Sequence, residues 1–157
     1  MEWKIKNFEE LTRSELYKIL QVRSEVFVVE QECAYQDVDG KDQKSLHLWL
    51  EDSEGAIQSY CRILPAGLSY PEASIGRVLV KESQRGKGTA RKMMQQALEF
   101  LAQAWRQAWR EPVVRIEAQY YLREFYASFG FKEDSEPFLE DGIKHVEMIL
   151  DLKDFAS

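Results

Sequence analysis

Long apolar runs are missing from this 157-residue chain. No stretch approaches the ~20 consecutive apolar residues that a membrane-spanning helix needs, so no membrane partner is expected. The opening residues Met1-Glu2-Trp3-Lys4 carry no signal-peptide core, and a cytoplasmic location is the expectation. Cysteine is scarce: Cys33 and Cys61 stand alone, without metal-type spacing or a recognisable histidine partner motif. A thiol nucleophile is not expected, and in a reducing cytosol both are expected as free thiols, although sequence alone leaves a disulfide between them open. The two histidines, His47 and His145, lack a Cys or Asp spacing that would mark zinc, so no metal is expected and each is expected to be a hydrogen-bonded structural residue. Positive charge is in the minority, with 21 Lys and Arg against 27 Asp and Glu and a formal net charge of -6, which argues against general nucleic-acid binding. Repeats and low-complexity tails are absent from the sequence.

What is present is the composition of a soluble globular protein, 45% hydrophobic and 31% charged, at a length that suits one domain over residues 1–157 with a proper core. Trp3 to Phe8 alternates as a first strand. Thr12-x-x-Glu15 fits a capping box with Leu11 and Leu16 as its staple, and Leu16, Ile19, Leu20, Arg23 and Phe27 continue at helical spacing to about Val28. Glu30 to Lys44 loses periodicity and reads as an acidic loop. Leu46–Leu50 and Ala56–Leu64 read as strands joined through Asp52-Ser53-Glu54-Gly55, and Pro65, Gly67 and Pro71 bracket a second loop. A strand over Ser74–Val80 and a long helix follow, the helix ending before Pro112. Val113–Ala118 is a strand, Leu122–Phe129 a short helix closed by Gly130, and Phe131–Asp134 and Val146–Leu152 two more strands around a turn at Glu140-Asp141-Gly142. The element order is β-α-β-β-β-α-β-α-β-β.

The junction between the Ser74–Val80 strand and the long helix is the most informative stretch. The helix keeps Ala90, Met93, Met94, Ala97, Leu98, Leu101, Ala104, Trp105 and Ala108 on one face, and Trp105 and Trp109 are expected in the core or an interface. At its N-terminus, unpartnered amides and the macrodipole favour an anion. Gly86 and Gly88 permit close approach, and Arg85, Lys87, Arg91 and Lys92 supply cations. A dinucleotide-binding loop would require a third glycine and a downstream acidic residue at a strand end, whereas a P-loop would place Gly before Lys rather than in the order Lys87-Gly88-Thr89. A tight strand-to-helix connection without a ligand would use the same glycines.

Arg85-x-x-Gly88-x-Ala90, set between Val78-Leu79-Val80 and a helix, resembles the acetyl-CoA motif of the GNAT N-acetyltransferase superfamily. Phe125-Tyr126-Ala127-Ser128-Phe129-Gly130-Phe131 resembles its second motif. Val26-Phe27-Val28-Val29-Glu30-Gln31, Ala118-Gln119 and Glu140-Asp141-Gly142-Ile143-Lys144-His145 resemble the ElaA-like branch. The chain departs from the pattern with Ala90 at the third glycine, Thr89 at an aliphatic site, Gln119 where asparagine is common and Lys144 where proline is common. The resemblance implies an α/β fold, with a central, mostly antiparallel mixed sheet of six to seven strands, helices on both faces and a splayed strand pair holding acyl-CoA.

It also implies an acyltransferase that moves an acetyl group from acetyl-CoA to a primary amine of a small molecule or peptide, by direct attack in a ternary complex. By resemblance, Val78, Leu79 and Val80 line the pantetheine arm and thioester, Gln119 bonds that arm or a water, and Arg85, Gly86, Lys87, Gly88, Thr89 and Ala90 hold the pyrophosphate. Tyr126 falls at the general-acid position, while its aromatic neighbourhood equally suits core packing. Many members place the general base on the strand before the turn, but Ser74–Leu79 carries no carboxylate. Glu30 and Glu117 are the preferred candidates among Glu30, Glu117, Asp37, Asp39 and His47. The acidic loop with Glu140-Asp141 suits either attraction of a cationic amine or plain solvation. A non-catalytic module that binds CoA or another phosphate ligand is the alternative, a nucleotide-binding fold a further one, and a homodimer is left open.

Overall fold

Thr12 starts the first helix as its spacing predicts: its Oγ1 accepts from the Glu15 amide at 3.1 Å, and Glu15 Oε1 accepts from the Thr12 amide at 2.9 Å. The computed structural model in which these contacts occur describes residues 1–108 and 112–155. Trp109 lies outside the described residues. Helix α1 covers Arg13–Arg23 and then widens over Ser24–Glu30 into π-type turns, where the Gln31 amide reaches back to the Val26 carbonyl. The helical path therefore passes Val28 and ends at Glu30. The widening coincides with Val26, Val28 and Val29, β-branched residues that crowd a regular α turn.

Strands β1 (Glu2–Asn7), β2 (Leu46–Glu51), β3 (Ile57–Leu64) and β4 (Ser74–Val80) form an antiparallel sheet in that order. Helix α2 (Thr89–Ala108) leads to β5 (Val113–Gln119) and then to α3 (Arg123–Ala127). Strands β6 (Lys132–Glu133), β7 (Phe138–Glu140) and β8 (Ile143–Asp151) complete a second sheet, in which β8 pairs with β5 on one edge and with β6 and β7 on the other. Among the described residues the expected mixed sheet arrangement is present, with one short strand more than the six to seven anticipated. The addition is β7, which folds back on β8 through Asp141 and Gly142 at φ 51° and 77°, a two-residue hairpin turn.

The sheets meet where β4 and β5 start. Ala73 bridges Val114 in parallel, and the Arg115 amide donates to the Ala73 carbonyl at 2.9 Å. Beyond that contact β4 stays with β3 and β5 with β8, so the pair splays as the mixed α/β fold requires. Met93, Met94, Ala97, Leu98 and Leu101 of α2 pack on Cys61, Ile63 and Ile75 from one sheet and Ile116, Val146 and Met148 from the other. Ile19, Val22 and Val26 cover the opposite face of the first sheet against Trp49, Tyr60 and Leu79. Covered on both sides, β3 is buried along its whole length. Each large apolar side chain buried this way contributes roughly 1.5–3 kcal/mol. Among the described residues no helix is long and apolar enough to cross a membrane.

Candidate active site

The glycine turn departs from β4 at Val80 and is shaped by left-handed backbone at Gly86 (φ 79°) and Gly88 (φ 77°). The Lys92 amide donates to the Gly88 carbonyl at 3.2 Å, so Gly88 caps α2 and the amides of Thr89, Ala90 and Arg91 fall in its unpaired first turn. Nothing lies within 4 Å of a Cβ built on either glycine, which leaves the backbone open to an approaching ligand. Gly86, Lys87 and Gly88 are exposed, whereas Thr89 is buried at the helix start and Ala90 half-buried. Arg85 is exposed and turned back: its Nε donates to the Val80 carbonyl at 2.9 Å, and its Nη2 pairs with Glu30. Arg91 points away from the turn, donating to Ser128 Oγ at 3.0 Å and lying over the rings of Phe125 and Phe129, where it ties α2 to α3.

Along the splay, Val78 packs against the main core and Leu79 against the α1 core. Gln119 ends β5 opposite His145. Between them β4 carries a bulge. Tyr60 pairs with Leu79 and Arg62 with Gly76, so Arg77 and Val78 together face the single residue Cys61. Arg77 holds φ 50°, a left-handed conformation costing on the order of 1–3 kcal/mol for a residue with a side chain.

Tyr126 sits on α3 within the core at 6% exposure, edge-on to Phe125 and Phe131. Among the described residues its hydroxyl has no hydrogen-bond partner. Burial pushes its pKa well above the ordinary phenol value, so the hydroxyl keeps its proton throughout the neutral range. Burial likewise raises the thiol of Cys61, and both cysteines are free.

The carboxylates fall into three settings. Glu30 pairs with Arg85 at the mouth of the turn. Glu117, on β5, accepts from the Tyr70 hydroxyl at 3.3 Å and lies with Glu140 and His145 in a group whose ligand atoms are all within 4.8 Å of one another. Neither Glu117 nor Glu140 has a basic partner among the described residues. His145 is held by its Nδ1, 2.7 Å from the Ile143 carbonyl, and by stacking on Phe138. The third setting corrects the acidic loop: Asp37 and Asp42 are buried, Asp39 is half-buried, and none of the three is a solvated charge. Arg23 binds Asp37 (2.8 Å) and Asp42 (2.6 Å), Arg62 binds Asp39 (2.8 Å) and Asp42 (3.0 Å), and Arg77 Nε lies 2.8 Å from Asp37 in an ion pair too bent for a hydrogen bond. Burial alone would raise the carboxyl pKa values of Asp39 and Asp42, but their arginine partners outweigh it and hold both below the ordinary range. His47 is fully buried between the Tyr60 hydroxyl (2.7 Å) and the Asp42 carbonyl (3.0 Å), and burial lowers its pKa. Asp37, Asp39 and His47 are therefore structural groups, which removes them from the candidate bases.

A family model described as an acetyltransferase (GNAT) domain matches residues 10–152. A UPF0039 protein of Schizosaccharomyces pombe is 41% identical over 97% of this chain and 98% of its own. The chain belongs to the GNAT acetyltransferase family. Among solved structures, an acyl-CoA N-acyltransferase from Pseudomonas aeruginosa aligns with TM-score 0.85 at 38% identity, covering 94% of this chain and 97% of that one. Escherichia coli ElaA aligns with TM-score 0.84 at 37% identity, over 94% and 97%. The protein is thus a GNAT acyltransferase, a family that implies an acyl-CoA co-substrate.

Three features of this GNAT domain have little or no local signal in the sequence. The bulge at Arg77 has no local signature, because arginine gives no hint of left-handed backbone. The arginine–aspartate network joins positions 23, 37, 39, 42, 62 and 77, and only the fold brings them together. The Glu117, Glu140 and His145 group is equally non-local, and its one signal was Glu140 and His145 sharing a segment that resembles the ElaA-like branch.

Proposed function

We propose that this GNAT domain, taken as residues 1–157, transfers an acetyl group from acetyl-CoA to a primary amine of a small molecule or peptide in a ternary complex. The observation that carries this reading is the open glycine turn at the N-terminus of α2, continuous with the splayed β4–β5 pair. Backbone amides of Thr89 and Ala90, with Arg85, Gly86, Lys87 and Gly88, bind the pyrophosphate. Val78, Leu79 and Val80 line the pantetheine arm from β4 and Gln119 bonds it from β5, with a β4 amide polarising the thioester carbonyl.

Glu117 is the better candidate for the base, because Glu30 is engaged by Arg85. With Glu140 and His145 it offers three acceptor atoms to the three N–H groups of a primary ammonium. Glu117 takes a proton from that ammonium, directly or through water. The neutral nitrogen attacks the thioester carbon, the C–N bond forms, the C–S bond breaks, and Tyr126 gives its hydroxyl proton to the leaving thiolate. The acylated nitrogen gives up its second proton, which restores the Tyr126 hydroxyl directly or through water, Glu117 releases its proton to solvent, and the products are an acetamide and free CoA. The carboxylates left without basic partners, rather than the loop aspartates, attract a cationic acceptor. The enzyme acts in the cytoplasm without nucleic acid or a membrane, and light scattering decides between monomer and homodimer.

Free-thiol release from acetyl-CoA across a panel of amines tests the reading, and turnover with at least one primary amine is expected. CoA binding without thiol release for any amine would support a non-catalytic CoA-binding module instead.

A further inference from the structure

The left-handed backbone at Arg77 sits in the strand that leads into the turn and forms one side of the splay, and its own side chain ties it to the Tyr35–Asp39 segment. Arg77 Nη2 donates to the Asp37 carbonyl at 3.0 Å and lies 3.4 Å from Asp39 Oδ2, while its Nε lies 2.8 Å from Asp37 Oδ1. Its guanidinium also covers the Tyr35 ring at 5.4 Å, and the Tyr35 hydroxyl donates to Asp37 Oδ1 at 2.7 Å. Asp37 is fixed in turn from the far side by Arg23, which binds its carboxylate and its carbonyl. The clamp therefore runs from α1 through the Tyr35–Asp39 segment to the middle of β4. A bulge re-aims the backbone that follows it, here Val78 to Val80. Asp37 has Arg23 as a second partner and Asp39 has Arg62, so cutting Arg77 leaves neither carboxylate uncompensated.

We infer that Arg77, gripped by Asp37 and Asp39, is a positioning residue that locks the β4 bulge in the conformation aiming the Val78–Val80 backbone at the thioester. The inference rests on the acetyl-transfer reading of the same site. It separates backbone from side chain. Alanine at position 77 loses the clamp and resists positive φ, whereas glycine loses the clamp but adopts positive φ freely. In Arg77→Ala, kcat should fall about tenfold or more with KM for acetyl-CoA nearly unchanged, the pattern of a lost transition-state interaction. Arg77→Gly should recover most of that loss, to within about threefold of the native enzyme. Equal impairment of the two variants would mean that the guanidinium acts directly and would overturn the inference, as would unchanged kcat in both. Amide hydrogen exchange at Val78 gives a readout independent of turnover. Protection lost in Arg77→Ala and kept in Arg77→Gly supports the clamp even if no amine is acetylated, an outcome that would sink the transfer reading alone. Protection unchanged in both variants overturns the clamp.

Discussion

Arg85 Nη2 lies 2.5 Å from Glu30 Oε2, joining the widened end of the first helix to the glycine turn. Two residues that resemblance would give separate roles, anion binding and proton abstraction, instead neutralise one another at the protein surface. An exposed pair of this kind is worth about 0.2–1 kcal/mol. Glu30→Gln frees the guanidinium and removes a negative charge from the anion site, so CoA should bind about 1.4- to 5-fold more tightly, the same energy expressed as a ratio. Calorimetric titration of CoA measures this. A collapse of turnover with unchanged CoA affinity would instead make Glu30 the base.

Tyr126→Phe removes one hydroxyl that makes no hydrogen bond among the described residues, and the ring keeps its edge-on contacts with Phe125 and Phe131. The melting temperature should hardly move. If the hydroxyl protonates the thiolate, kcat should fall about 10²- to 10⁴-fold with CoA binding intact. Because burial raises this phenol well above its ordinary pKa, no alkaline loss of activity between pH 8 and 10 should be traceable to it: any such limb of the native pH profile should persist in the variant's residual rate. Unchanged turnover would reassign Tyr126 to packing.

The parts of the fold legible beforehand are those with local causes. The Thr12–Glu15 box, the hairpin through Asp52 to Gly55, the apolar face of α2 and the cap at Gly130 are each set by residues a few positions apart. The two glycines of the turn were legible for the same reason. Strand β7 was not: three residues long, it exists because β8 offers it an edge. The roles of the loop carboxylates are not legible because carboxylates in sequence look alike, and only the fold shows that Asp37 and Asp42 face buried arginines while Glu117 has no arginine partner among the described residues. Arg23 looked like a polar member of a helical face and is instead fully buried at the centre of that network.

Gly88 caps α2 at φ 77° in open space, so Gly88→Ala meets no steric neighbour and is opposed by backbone conformation alone. The expected stability loss is about 1 kcal/mol. CoA affinity should fall by more than stability does, because a shift of this residue turns the first amides of the helix away from a bound anion. Comparing the change in melting temperature without CoA against the change in CoA dissociation constant separates the two. Loss of stability with unchanged CoA affinity would place the pyrophosphate elsewhere.

Acid should unfold the protein in two stages. Burial lowers His47 below its ordinary 6.5, so between the two values the unfolded chain binds a proton that the folded chain refuses. The stability at stake is fully present above pH 6.5 and is lost as pH falls toward the folded value. Asp39 and Asp42 are held below their ordinary 3.8 by arginine partners, and their contribution, present above that value, is lost as pH falls through the folded ones. The sign is the same for all three groups. One proton governs the first stage and several the second, since Glu15, Glu51, Asp52 and Glu72 are held low as well. Each proton is worth up to about 1.4 kcal/mol per pH unit. Thermal melts from pH 8 to 3 should therefore show a shallow decline beginning near 6.5 and a steeper one below 4. His47→Gln, which cannot titrate, should flatten the first decline and leave the second. A native melting temperature constant between pH 7 and 5 would mean that His47 takes up its proton in the folded state as readily as in the unfolded one, and the buried neutral imidazole between Tyr60 and Asp42 would have to be abandoned.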